Sequence, residues 1–152
     1  MVLHQINRDV KRECDICGTG VENCMHFFVE CSRLEEFHKF LKGILVQHWG
    51  EEIVAGVEWR RLFLFGLTGK SKVFNFNLMN FVLSHARYAV RLRRNLGHYE
   101  GKIVSVEVLF RSILEKDIEV IYKYGGCNFE KLFVWGSTFI EIESNGKLGF
   151  NY

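Results

Sequence analysis

Four cysteines and one histidine lie within eighteen residues near the amino terminus of this 152-residue chain. The five cysteines of the sequence are Cys14, Cys17, Cys24, Cys31 and Cys127, and His26 lies among the first four. An odd number of cysteines, with no visible export signal, argues against a disulfide framework. Free thiols at such short spacing are typical zinc ligands once they ionise. The cluster therefore predicts a zinc site.

The spacing of these residues provides two pairs of ligands. Cys14 and Cys17 form a Cys-x2-Cys pair, whose tight turn points both sulfurs at one ion. His26 and Cys31 form the second pair, and Cys24 in place of His26 would give an all-thiolate set instead. The residues alone leave these alternatives open. In both, protein ligands fill all four positions, so the predicted Zn²⁺ is structural rather than catalytic.

The elements that position this site are predicted to be helices. Apolar residues at helical spacing follow the last cysteine of the cluster and predict a helix to about Gln47, ending near Gly50. Further helices are predicted over about 73–96 and about 103–123, and the short connection between them predicts an antiparallel hairpin. His85, on the apolar face of the first of these two, is predicted to be a core histidine bonded to a neighbour.

The predicted fold is thus mainly α, and the composition (48% apolar, 25% charged) is that of a globular chain able to bury a core. A small amino-terminal zinc knuckle leads into a helix over residues 1–49. A connecting segment follows at 50–72, then the antiparallel helical hairpin at 73–124 and a short C-terminal segment at 125–152. In that last segment, residues 129–142 predict a strand or a short helix, and the final ten residues predict a frayed tail.

The charges are unevenly distributed along the chain. Residues 59–99 contain no Asp or Glu but eight Lys and Arg, although the net charge of the whole chain is only +2. Such segregation indicates a polyanionic partner. The predicted nucleic-acid contacts are four arginines of the second helix: Arg87, Arg91, Arg93 and Arg94. If all four contact phosphates of a single strand, log K is expected to fall with log salt at a slope of about −3.

Several classes of protein are excluded by the sequence. No uncharged apolar run is long enough to span a membrane, and the first thirty residues lack the apolar core of a secretory signal. We therefore expect an intracellular protein, nuclear or cytoplasmic, without a membrane partner. Two-metal nuclease or polymerase chemistry needs converging carboxylates, and the three aspartates are scattered at Asp9, Asp15 and Asp117. We expect neither catalysis nor a small-molecule substrate.

Taken together, these motifs resemble one known family. The sequence CDICG at 14–18 followed by HFFVEC at 26–31 is similar to the zinc-binding region at the C-terminal end of LINE-type (non-LTR) retrotransposon reverse transcriptases. LFG at 64–66, NF at 80–81 and HARY at 85–88 resemble the "LFG … NF … AKY" progression of the same family. The resemblance covers nearly the whole chain, and its zinc motif is the specific part.

The resemblance implies a nucleic-acid-binding appendage of a polymerase, in which RNA or DNA is the partner and the polymerase body is a second one. It also favours His26 as the fourth ligand, beside Cys14, Cys17 and Cys31, and makes Cys24 an additional cysteine. The family's endonuclease and polymerase domains are absent from this sequence, which is expected to be a truncated copy. The alternatives are a protein-interaction scaffold that docks on a polymerase body, and a relic of the element without function.

Overall fold

The computed structural model describes residues 13–101 and 104–152. As predicted, the architecture is mainly helical. A π-helical turn at His26–Glu30 and a 3-10 turn at Ser32–Leu34 lead from the cysteine cluster into the first helix. The α-helices are α1 (Glu35–Trp49), α2 (Glu51–Ala55), α3 (Trp59–Phe65), α4 (Phe76–Glu100) and α5 (Val106–Tyr124). The connecting segment therefore contains two short helices.

The long helices α4 and α5 pack against each other as the predicted hairpin. Helix α4 continues past Gly97 and ends at Gly101, which adopts a left-handed conformation (φ +63°) that glycine tolerates at a helix end. His85 bridges the two helices, and its predicted bond to a neighbour is confirmed. Its Nδ1 lies 2.9 Å from the carbonyl oxygen of Phe81, and its Nε2 lies 2.8 Å from a carboxylate oxygen of Asp117 on α5.

The core lies where α1, α3, α4 and α5 meet the C-terminal segment. Its largest fully buried side chains include Trp49, Phe63, Phe110 and Phe139. Burying one such side chain contributes about 1.5–3 kcal/mol of transfer free energy. The indole N–H of Trp49 donates to the carbonyl oxygen of Asn75 at 2.9 Å, so the polar atom of this ring is not left unpaired in the core.

The prediction of a frayed C-terminal tail is wrong. After a 3-10 turn at Gly126–Asn128 and a π-helical turn at Glu130–Val134, β1 (Ile140–Ile142) pairs antiparallel with β2 (Leu148–Phe150). The segment expected to be a strand or a short helix therefore contains both. The terminal Tyr152 packs on Phe139, with ring centroids 5.5 Å apart, and donates to Glu115 at 2.8 Å. These contacts offset the entropy of ordering the end of the chain.

The motif residues Gly66 and Asn80 close the turn between α3 and α4. The side-chain oxygen of Asn80 accepts from the N–H of Leu67 at 2.9 Å, and its NH₂ group donates to the carbonyl of the same residue at 2.7 Å. A Cβ atom at Gly66 would lie 2.2 Å from that side-chain oxygen, and the φ of +70° also favours glycine. This turn fixes the start of α4 beside α3.

Two buried histidines connect α1 to distant parts of the chain. His48 donates from Nε2 to the carbonyl of Asn151, while its Nδ1 accepts from the hydroxyl of Thr138 at 2.6 Å. His38 contacts the carbonyl oxygen of Phe28 through Nε2 at 2.8 Å. Burial lowers the pKa of both histidines below 6.5. The fold therefore holds both rings in the neutral form.

Lowering the pH below 6.5 is expected to destabilise the fold through these histidines. The unfolded chain binds a proton on each ring at a higher pH than the folded chain does. Their contribution is therefore complete above pH 6.5 and is lost as the pH falls through the folded-state pKa. Urea unfolding on either side of this pH measures the effect. His48→Gln removes one titrating ring, so the variant should show a shallower pH dependence, and an unchanged slope would contradict the assignment.

Candidate metal centre

The structure brings four of the predicted ligands together. The ligand atoms of Cys14, Cys17, His26 and Cys31 all lie within 4.8 Å of one another. The sulfurs of Cys14 and Cys31 are 3.9 Å apart, and the sulfur of Cys17 is 3.3 Å from Nε2 of His26. Tetrahedral zinc with Zn–S of about 2.3 Å and Zn–N of about 2.05 Å gives edges of about 3.8 and about 3.6 Å. The four donors are thus close enough to bind one metal ion.

The first ligand pair is shaped by backbone hydrogen bonds. The N–H of Cys14 donates to the carbonyl of Gly20, and the N–H of Gly18 donates to the carbonyl of Cys14, both at 2.8 Å. Gly18 takes a left-handed conformation with φ +72°, which turns the chain directly after Cys17. An antiparallel bridge between Glu13 and residue 21 closes the base of this turn.

The second ligand pair lies at the two ends of the π-helical turn. The side-chain oxygen of Asn23 accepts from the N–H of His26 at 2.8 Å, and the N–H of Cys31 donates to the carbonyl of His26 at 3.0 Å. Cys31 also accepts, through its carbonyl, the N–H of Leu34 at 2.9 Å. The ligand pair is therefore continuous with the 3-10 turn that enters α1.

Gly20 is a site residue that the sequence reasoning missed. A Cβ atom at this position would lie 2.1 Å from Cε1 and 2.4 Å from Nδ1 of the His26 ring. Only glycine leaves room for the imidazole to reach the sulfur of Cys17. The signal available in the sequence was a glycine between two ligand pairs, but a glycine there also suits an ordinary turn.

The electrostatics of the cluster favour a cation among the sulfurs. Hydrogen bonds from Thr19, whose hydroxyl lies 3.5 Å from the sulfur, lower the pKa of Cys17 to about 5, so this ligand is a thiolate at neutral pH. Burial, together with the neighbouring Cys14, raises the pKa of Cys31 to about 11. A divalent ion reverses such a rise because it stabilises the thiolate directly. Three sulfurs and one imidazole therefore form a donor set that fits a metal ion.

Arg93, one of the four arginines predicted to contact nucleic acid, lies beside this cluster. Burial lowers the pKa of its guanidinium, and the ionised forms of the Cys31 and Cys14 thiols would oppose that change. Its guanidinium also reaches the carbonyl of Arg33 at 3.4 Å. Three thiolates around a divalent ion would carry a net charge of −1, which this guanidinium would offset.

Cys24 is not part of the cluster in the structure. Its thiol is exposed, whereas His26 is buried among the other three ligands. The arrangement that the structure shows is therefore the one with three cysteines and a histidine.

The other three predicted arginines differ in their surroundings. Arg87 donates to the carbonyl of Phe63 at 2.5 Å and so binds one of the last carbonyls of α3. Arg94 forms ion pairs with Glu22 and, at 3.9 Å, with Asp15. Arg91 is exposed, and among the described residues it has no hydrogen-bond or ion-pair partner. Three of the four predicted arginines are therefore engaged within the protein.

No helix in the described part of the chain combines the length and apolarity needed to cross a membrane. In comparisons with known proteins, no family model, no curated protein and no solved structure matches this chain.

Proposed function

We propose that this chain is a zinc-stabilised module that binds RNA or DNA and has no catalytic activity. The observation that supports it most directly is the cluster of Cys14, Cys17, His26 and Cys31, whose donor atoms lie within 4.8 Å of one another. Tetrahedral sites of sulfur and imidazole suit Zn²⁺ among the common divalent ions. With four protein ligands, the bound ion would fix the metal-binding loop (residues 14–31) rather than activate water.

The surface of α4 supports the nucleic-acid part of the proposal. Glu100, the last residue of this 25-residue helix, is its only acid. Its exposed side chains include Tyr88, Arg91, Asn95 and Tyr99. Guanidinium groups bind phosphates, and exposed aromatic rings stack on bases, so this face has the composition of a single-strand binding surface.

The resemblance to the C-terminal end of a LINE-type reverse transcriptase enters here as part of the proposal. Its second, weaker motif joins residues that lie far apart in sequence but together in the fold. Gly66 contacts Asn80, and Arg87 binds the carbonyl of Phe63. These contacts hold α3 against α4, which is a physical reason for such residue types to occur in that order. The polymerase body of such an enzyme is then the expected second partner, in the nucleus or cytoplasm.

We infer the absence of catalysis from the contacts of the two aspartates that the structure describes, Asp15 and Asp117. Asp15 lies 3.1 Å from Nδ1 of His98 and also pairs with Arg94, and Asp117 pairs with His85. The two carboxylates are therefore engaged with different side chains, Asp15 with His98 and Arg94 and Asp117 with His85. Two-metal phosphoryl transfer requires such groups to converge on shared ions.

Zinc-loaded protein is expected to bind an unstructured oligonucleotide with an affinity that falls as salt increases. Because Arg91 is the only one of the four predicted arginines without an internal partner among the described residues, we expect a log–log slope between about −1 and about −3. Fluorescence anisotropy from about 50 to about 200 mM salt measures it. Removing the metal should abolish binding, and a zinc-loaded protein that binds no oligonucleotide would contradict the proposal.

A scaffold function is the second candidate, supported by the apolar surface of the C-terminal part of the chain. Tyr124, Leu132 and Trp135 are each about half exposed or more. Exposed apolar side chains of this size suit a docking surface. Arg91→Glu separates the two functions, since it should abolish oligonucleotide binding but leave docking on a polymerase body intact. Reversing Arg87 or Arg94 would not, because both also hold the fold together.

A further inference from the structure

A groove with a volume of about 480 Å³ lies between the metal-binding loop and α4. We propose that one base of a single-stranded nucleic acid enters this groove while its phosphate binds Arg91. The inference rests on the proposed function and specifies its binding site. Residues of the loop and of the helix line the groove together, namely Asn23, Cys24, Phe27, Phe28, Arg91 and Asn95. We call it the knuckle groove.

The apolar lining of the knuckle groove suits a planar base. Phe27 and Phe28 are half-buried, and their ring centroids are 4.6 Å apart in an edge-to-face arrangement. The guanidinium of Arg94 lies over the ring of Phe27, 4.8 Å from its centroid. Aromatic rings and guanidinium planes are both surfaces on which nucleobases stack.

The polar lining supplies hydrogen-bonding groups without internal partners. Asn23 uses its side-chain oxygen to cap His26. Among the described residues its NH₂ group and the whole amide of Asn95 make no hydrogen bond. Amides can bond to the edges of a base, whichever base it is, because they carry both donors and an acceptor.

The charge of the groove favours a phosphate. Its one acidic lining residue, Glu22, is buried and ion-paired with Arg94, so the two charges cancel. Arg91 is left as the exposed, unpaired cation among the described lining residues. A guanidinium at the rim of an aromatic groove presents donors to a backbone phosphate while the base lies inside.

The surface beside the groove suits a strand better than a single nucleotide. At 100° per residue, Tyr88, Arg91, Asn95 and Tyr99 lie within an arc of about 80° on α4. Tyr88 is 55% exposed and Tyr99 is 79% exposed. At 1.5 Å per residue, the Cα atoms of these two tyrosines lie about 16.5 Å apart along the helix axis. Each can stack on a further base of the same strand.

The test measures anisotropy of labelled decamers of uridine and of thymidine on the zinc-loaded full chain. Arg91→Ala, Asn95→Ala and Tyr88→Ala should each weaken binding, by about tenfold for the arginine. An abasic decamer should also bind about tenfold more weakly, since it lacks the stacking bases. Two variants of exposed residues on α5 are the matched controls. Lys116→Ala is the control for Arg91→Ala because it also removes one positive charge, and Tyr124→Ala is the control for Tyr88→Ala. Both controls should bind as the unmodified chain does.

Cys24 provides an independent readout because its exposed thiol lines the groove. Bound decamer should slow the alkylation of Cys24 by iodoacetamide. Peptide mass mapping measures the rate of this alkylation. If the decamers bind but the groove variants match the controls and Cys24 reacts at its free rate, the groove is not the site and the proposed function stands. If the abasic decamer or oligoglutamate binds equally well, the base-binding groove is also wrong. If zinc-loaded chain binds neither decamer, both proposals fail.

Discussion

Replacing Cys31 with serine is expected to abolish stoichiometric zinc binding and to unfold the metal-binding loop. Zinc binding contributes about 10–16 kcal/mol in zinc-finger peptides, which is comparable to the whole stability of a typical domain. Cys31 is buried, and its carbonyl bonds to Leu34 at the entry to α1, so the loss should also loosen the start of this helix. Elemental analysis gives the zinc content, and amide hydrogen exchange shows which segments lose protection.

Cys24→Ser is the matched control, because it removes the same atom from an exposed thiol outside the cluster. This variant should keep one zinc ion per chain and the unfolding temperature of the unmodified protein. His26→Ala should behave like the Cys31 variant. The opposite pattern, with zinc lost in Cys24→Ser and kept in His26→Ala, would make Cys24 the fourth ligand and the site all-thiolate. An unmodified chain without stoichiometric zinc would contradict the centre itself.

The ligand set and the long helices could be predicted because their signals are local. Two pairs of ligands at short spacing restrict where the sulfurs can point, and apolar residues every three to four positions mark α4 and α5. Gly20 and Asn23 were missed for the opposite reason. Their roles, room for the His26 ring and a cap on its N–H, depend on how the loop closes.

The charge pattern correctly identified a stretch without acidic residues, but it did not show which arginines of that stretch pair with acids elsewhere in the chain. The acid-free stretch does contain α4, yet Glu22 and Asp15 of the metal-binding loop pair with Arg94, which lies more than seventy residues away in sequence. Pairing over such a separation is set by tertiary packing, which no local pattern records. The same limitation explains the C-terminal tail, because Tyr152 is ordered by Glu115 and Phe139 rather than by its neighbours in sequence.

Arg94→Met is expected to destabilise the fold by about 3–5 kcal/mol, since it leaves a buried carboxylate without its cation. The side chain of Glu22 is only 6% exposed and that of Arg94 only 18%. Urea unfolding measures the loss, and faster release of zinc to a chelator should accompany it because Glu22 lies within the metal-binding loop. Glu22→Met combined with Arg94→Met should recover most of the stability, because no charge is then left buried.

Arg91→Met makes the same substitution one turn earlier on the same helix and should have the opposite profile. Its side chain is exposed and unpaired among the described residues, so we expect a change in the free energy of unfolding of no more than about 0.5 kcal/mol. Oligonucleotide binding should nevertheless weaken. If Arg94→Met instead left stability unchanged and weakened binding alone, Arg94 would be a nucleic-acid contact, as the sequence first suggested, and its pairing with Glu22 would not hold the metal-binding loop on α4.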